Sequence, residues 1–352
     1  MLQKTTTDTA YFLGLIAFFL FGNLACSDKK RVVEPSFYFW QTHLNSDNFP
    51  IDFVQNQSVK KLYICLLNIE VNTQNQAVPS IQTAVNWSIL PSNMAIAPVV
   101  YVPNRVFERL DTAGINRFSS NLNRFFKEKV PPSVFSRFSE IQLDCDWTEK
   151  TRAGYFLFLT QFKQQINLPL SATIRLHQVK YRKKTGIPPV ERGALMLYNL
   201  TAPNKYTDKN SIFDAEECGQ YLKNAKAYEL PLDMAFPLFS WGLVFRNKQY
   251  QGIFNGMNRT ECRSLSFLMP PTNAENKYFP VVQDTVFRGL YLRNGDEIGI
   301  EEVREKDLFA AADLAKPLLN SDTTHIIFYH LSLSILKNYD ADVFQKMANR
   351  LH

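Results

Sequence analysis

Ile141-Gln142-Leu143-Asp144-Cys145-Asp146-Trp147 alternates without a break between apolar and polar residues. Successive side chains of a β-strand point to opposite faces. Ile141, Leu143, Cys145 and Trp147 therefore form one face, and Gln142, Asp144 and Asp146 the other. Further along the chain, Ser171-Ala172-Thr173-Ile174-Arg175-Leu176-His177 sorts the same way, with Ala172, Ile174 and Leu176 opposite Ser171, Thr173, Arg175 and His177. A parallel barrel has helices outside and side chains filling its lumen. Both apolar faces then point outward, and two neighbouring strands place acids and bases in one interior.

Working outward from these two runs, the chain repeats one unit. Short apolar runs occupy 36–43, 61–68, 95–102, 140–147, 170–177, 192–199, 231–238 and 325–332. Helical spacing separates several of them. Phe118, Leu122, Phe125 and Phe126 share one face of 118–130, and Tyr155, Leu159, Phe162 and Ile166 share one face of 152–166. The segment 214–228 opens on Asp214 as a helix cap, with Glu216 and Glu217 in the first turn. Further helices are predicted over 304–319 and 340–351. Eight strand–helix units point to an α/β fold of the (β/α)8, TIM-type barrel class. A doubly wound open sheet with fewer strands is the alternative. The stretch 239–303 is too long for one loop. It reads as a β-rich insertion after strand seven, with strand-like pieces at 242–246, 249–254 and 285–292 and a hairpin turn at Arg246-Asn247-Lys248.

The N-terminus reads as an export signal. Lys4 precedes an apolar run, Tyr11 to Gly22, shorter than the roughly 20 residues a spanning helix needs. Asn23-Leu24-Ala25-Cys26 then resembles a lipoprotein box, with Asn23 where an aliphatic residue is usual. Lipidation at Cys26 would hold the protein to a membrane outside the cytoplasm, in the cell envelope. An ordinary signal peptide is the other reading. The expected organisation is signal 1–26, short tether 27–35 and barrel domain 36–352. Removing the signal leaves about 325 residues, enough for one large barrel. Apolar content of 45% and 28 phenylalanines can fill its core. The net charge of +6 is spread along the chain. Its one compact basic run, Lys180-Tyr181-Arg182-Lys183-Lys184, reads as a solvated loop face. No nucleic-acid module is recognisable. Cys65, Cys145, Cys218 and Cys262 show neither disulfide nor metal spacing, and Cys65 and Cys145, inside apolar strand-like runs, are expected as buried free thiols.

Polar residues at C-terminal strand ends are the functional candidates, because barrels of this type build their sites there. Asp144 and Asp146 lie roughly 6.6 Å apart along one strand face. Carboxylates that close raise each other's pKa, which suits a general acid. The plainer reading is a lumenal ion pair in which Arg175 neutralises Asp144. Trp40, His43, Arg175, His177, Tyr198, Asn199 and His330 are the candidate substrate-binding residues. Trp147, on the outward face, is expected to pack in the core. His43, His177 and His330 share no diagnostic ligand spacing with the aspartates, so no metal is predicted. With no G-x-G-x-x-G, Walker or G-x-S-x-G pattern, no cofactor is predicted either.

Leu143-Asp144-Cys145-Asp146-Trp147 resembles the fourth-strand signature of family 18 glycoside hydrolases, the chitinase-like barrels. Met196-Leu197-Tyr198-Asn199 resembles their sixth-strand motif. The resemblance implies that Asp146 orients a substrate N-acetyl group and that Tyr198 and Asn199 help hold it. Thr148 stands where that family has its acid glutamate, Ile141 stands at the first aspartate, and Glu149 lies one residue late. Segments including IQLDCDWTEKTRAGYFLFL, GIPPVERGALMLYNL and YELPLDMAFPLFSW are also similar to an uncharacterised family of bacterial barrel lipoproteins. Two functions follow as expectations: a glycoside hydrolase-like barrel acting on glycans, or a catalytically inactive barrel that binds glycan or serves as a scaffold.

Overall fold

The computed structural model describes residues 31–223, 228–273 and 275–352. The expected signal segment, Cys26 and the start of the tether lie outside them. Eight strands alternate with helical segments: β1 (Val32–Phe39), β2 (Lys61–Val71), β3 (Ala95–Tyr101), β4 (Ile141–Asp144), β5 (Leu170–Arg175), β6 (Arg192–Met196), β7 (Leu232–Pro237) and β8 (Thr323–Tyr329). Each pairs in parallel with its neighbours in sequence order, and β1 pairs with both β2 and β8, so the sheet closes. The chain is a (β/α)8 barrel, and all eight apolar runs are its strands. β1 begins at Val32, four residues before the run predicted from sequence, and stops at Phe39.

The principal outer helices are α1 (Thr112–Lys129), α2 (Arg152–Gln165), α3 (Leu176–Lys180), α4 (Ala215–Leu222), α5 (Glu305–Ala315) and α6 (Val343–Leu351). Asp111 caps α1, its carboxylate accepting the Gly114 amide at 2.7 Å, and Asp214 caps α4 through the Glu217 amide at 2.9 Å. The expected continuation of α4 runs into residues outside the described ones. α1 and α2 pack through stacked rings, with Phe118 and Phe158 centred 4.5 Å apart. Trp147 fills the seam between β4 and α2. It is fully buried against Tyr155, and its indole N–H donates to the Thr185 carbonyl at 2.9 Å. β6 needs a glycine in the wall. A Cβ on Gly193 would lie 2.9 Å from Ile174 on β5 and 2.9 Å from Leu232 on β7.

Between β7 and α5 the insertion forms an antiparallel sheet. Its strands run in the order Gln249–Asn255, Ser240–Arg246, Glu297–Glu302, Tyr278–Pro280. Asn247 and Lys248 both take left-handed φ, 50° and 62°, as a two-residue hairpin turn requires. The predicted 285–292 piece is a small separate hairpin, Thr285–Phe287 against Leu290–Leu292. Val244, Phe254, Phe279 and Ile298 give the insertion a core of its own. Among the described residues, no helix is long and apolar enough to cross a membrane.

Candidate functional site

The alternation that decided the fold also orders the lumen. β4 and β5 are in register at Gln142 and Ser171, and their inward side chains meet rung by rung. Gln142 Nε2 reaches Ser171 Oγ at 3.4 Å, Thr173 Oγ1 donates to Asp144 Oδ1 at 2.6 Å, and Arg175 grips Asp146. Below them, Tyr38 donates to Gln142 at 2.7 Å and Ser171 to Glu140 at 3.1 Å, while Glu140 pairs with buried Lys61 at 3.2 Å. On β4 and β5 the inward polar groups thus form a hydrogen-bonded ladder, as burial favours.

The top rungs differ from the ion pair expected between Arg175 and Asp144. Strand β4 ends at Asp144, and Asp146 lies beyond it on the rim. There its two oxygens take Nε and Nη2 of Arg175, the latter at 3.1 Å. Asp144 stays below, 5% exposed, with Thr173 the one side chain among the described residues that donates to it. Burial raises its carboxyl to about 6, against the opposing pull of Arg175 and of the Thr173 hydrogen bond. The guanidinium is thus bonded to Asp146 and acts on Asp144 only at longer range.

Above Asp144 the barrel opens into a cavity of about 570 Å³ at the C-terminal strand ends. Six rings wall it: Trp40, Tyr101, Tyr198, Phe239, Trp241 and Tyr329. Five of them, all but Tyr101, are in mutual contact. Trp40 and Tyr329 are centred 5.6 Å apart, Tyr198 and Tyr329 5.7 Å, and Phe239 and Trp241 5.2 Å. Of the residues predicted from sequence, Asp144, Trp40, Arg175, Tyr198, Asn199 and His330 all line this space. The Tyr198 hydroxyl and His330 Nδ1 are buried with no partner among the described residues. Burial raises the Tyr198 phenol well above its usual range and lowers the His330 imidazole.

His43 and His177 are not in the cavity. β1 has already ended at Phe39, and exposed His43 sits beside Thr42 in a short bridge to Ala84. β5 ends at Arg175, whose amide donates to Gln178 as α3 begins, so His177 emerges on a helix and is exposed. Thr148 and Glu149 lie in the exposed turn into α2, where the Thr148 amide donates to Thr151 Oγ1. Asp233 and Glu191 lie at the opposite, N-terminal mouth, paired with Arg192 and Lys163.

Tyr101 and Tyr329 were not singled out in the sequence, although each lies within a predicted strand run and is the last residue of the strand formed. Phe239, Asn255 and Gly256 come from the insertion and carry no local signal. The Trp241 wall is held by a buried knot. Glu301 accepts its indole N–H at 2.8 Å, takes the Ser211 amide at 3.0 Å and the Ser211 hydroxyl, and pairs with buried Lys277 at 2.7 Å. Lys277 also donates to the Lys209 carbonyl at 2.6 Å.

No family model matches the chain, and no curated protein matches it. Solved barrels do. A chitinase from Chromobacterium violaceum superposes with a TM-score of 0.56 at 12% identity, over 91% of this chain and 98% of that one. The spore cortex-lytic enzyme SleL of Bacillus cereus gives 0.56 at 13% identity, over 92% of this chain and 75% of that one. A family 18 chitinase from Cycas revoluta, solved in complex with (GlcNAc)4, gives 0.53 at 11% identity, over 91% of this chain and 100% of that one. At these identities the likeness is one of fold.

Proposed function

We propose that this barrel holds a glycan in the cavity at its C-terminal mouth and binds it without hydrolysing it. The cavity's composition carries the reading: six aromatic rings and, among its described lining residues, a single carboxylate, Asp144. Aromatic faces accept the apolar faces of sugar rings, and a few fixed polar groups orient them. The route the motif implies is substrate-assisted, so it needs no second catalytic carboxylate, but it does need an acid carboxyl at the motif's acid position. Here Asp146 is engaged by Arg175, Glu149 is exposed in the turn into α2, and Thr148 stands at the motif's acid position. The solved neighbours that carry GlcNAc oligosaccharides support a glycan as the first ligand, by analogy of fold.

One observation favours a second reading, hydrolysis with Asp144 as the acid: its carboxyl titrates near 6, so a protonated fraction exists close to neutrality. The mature domain should be titrated calorimetrically with β-linked N-acetylated and neutral oligosaccharides, and the products followed by chromatography. Saturable binding without cleavage supports the binding module. Cleavage abolished in Asp144→Asn supports the hydrolase, and absence of both removes the glycan. We further read 1–26 as an export signal and Cys26 as the lipid attachment site in the envelope. Intact mass of the mature protein tests this, since an unmodified N-terminus would end the lipoprotein assignment.

A further inference from the structure

The cavity's charge balance points to a narrower ligand class. Asp144 and Arg175 are the only charged side chains among its described lining residues. Arg175 spends two nitrogens on the two oxygens of Asp146. Among the described residues, Asp144 receives only the Thr173 hydroxyl, on Oδ1. When both carboxylates are ionised, the cluster carries one net negative charge, seated on a buried group without a cation of its own. Buried charges that lack a partner are costly, and a partner supplied by a ligand removes that cost. His330 cannot supply it, because burial disfavours its protonated form.

We propose that the ring bound over Asp144 carries a free amine, and that the site selects a cationic amino sugar over its N-acetylated counterpart. This rests on the reading of the cavity as a glycan site. The ammonium would give Asp144 Oδ2 a charged donor, while the aromatic walls take the ring. A hydroxyl or acetamide N–H could donate to the same oxygen but would leave the charge uncompensated. An anionic sugar would add to it.

The groups that interact electrostatically with Asp144 are Arg175, Asp146, Tyr38, Tyr101, Tyr155, Tyr198, Tyr329, Cys65 and Cys145. For the tyrosines and thiols, burial pushes the pKa upward. None of these tyrosines or thiols therefore changes its protonation below neutrality, whereas Asp144, raised to about 6, takes up a proton there. The selectivity should fade as the solution is acidified past Asp144's titration, even though acidification only adds charge to the amino-sugar amine, whose oxygen-bearing neighbours make it far less basic than a lysine.

The test compares a β-1,4-linked glucosamine tetramer with its fully N-acetylated form, by calorimetry on the mature domain at about pH 7 and about pH 5. The expected result is about tenfold tighter binding of the free amine at the higher pH, the worth of one charge-assisted hydrogen bond. The ratio should approach unity at the lower pH and in Asp144→Asn. Asparagine keeps the shape and can still accept from Thr173, and the pH series on the unaltered protein does not depend on that variant folding. Equal or tighter binding of the N-acetylated tetramer overturns the amine preference and leaves the glycan site standing. Failure of both tetramers to bind overturns the glycan site itself.

Discussion

Asp144 makes the barrel less stable than it need be. Its carboxyl is raised from 3.8 to about 6 by burial. The folded state therefore holds a proton that the unfolded chain releases, and stability falls as pH rises between those values and levels off above the upper one. The ionised form costs the native state about 3 kcal/mol near neutrality. Asp144→Asn should raise the melting temperature at about pH 7, and the gain should shrink toward about pH 4 as the wild-type group protonates. Differential scanning calorimetry across that range decides it. A variant that melts lower at every pH would make Asp144 a structural residue. A stabilising substitution that weakens ligand binding is the pattern of a group kept for function.

At the scale of the element, β6 depends on Gly193 because both neighbouring strands press on its backbone. Gly193→Ala should cost about 1–3 kcal/mol, read as a lower urea midpoint with an unchanged slope. On α1, Asp111→Ala should cost about 1 kcal/mol through the lost cap, by the same measurement. The elements themselves were largely legible. Eight strand runs, five of the helices and the alternation of β4 and β5 all come from local periodicity, and the structure keeps them. Errors arose where periodicity stops. His177 was read inward because the alternation was carried past Arg175, where α3 begins. His43 was read as a strand end because β1 lies four residues earlier than its apolar run suggests. The partner of Arg175 was misassigned because β4 ends at Asp144, which sends Asp146 to the rim. Phe239 and Asn255 reach the cavity through the tertiary placement of the insertion, which no local pattern encodes.

At the scale of the molecule, the barrel supplies the floor of the site and the insertion supplies part of its wall. Among the bonds that fasten them are those of one buried carboxylate, Glu301, joined to Trp241, Ser211 and Lys277. Removing one partner of a buried pair leaves the other charge uncompensated, at about 3–5 kcal/mol. Lys277→Met should therefore destabilise strongly and weaken glycan binding together, whereas Lys248→Met, on the exposed hairpin turn, should do neither. Thermal unfolding followed by Trp fluorescence and calorimetric titration check both. The Glu301 knot has a kinetic consequence. Strands of the insertion and the segment after β6 are not free to breathe independently, since opening either exposes the same buried carboxylate. In native-state hydrogen exchange, the amides of Ser211, Gly299 and Ile300 should exchange with one common opening free energy, and Lys277→Met should split them into separate, faster classes.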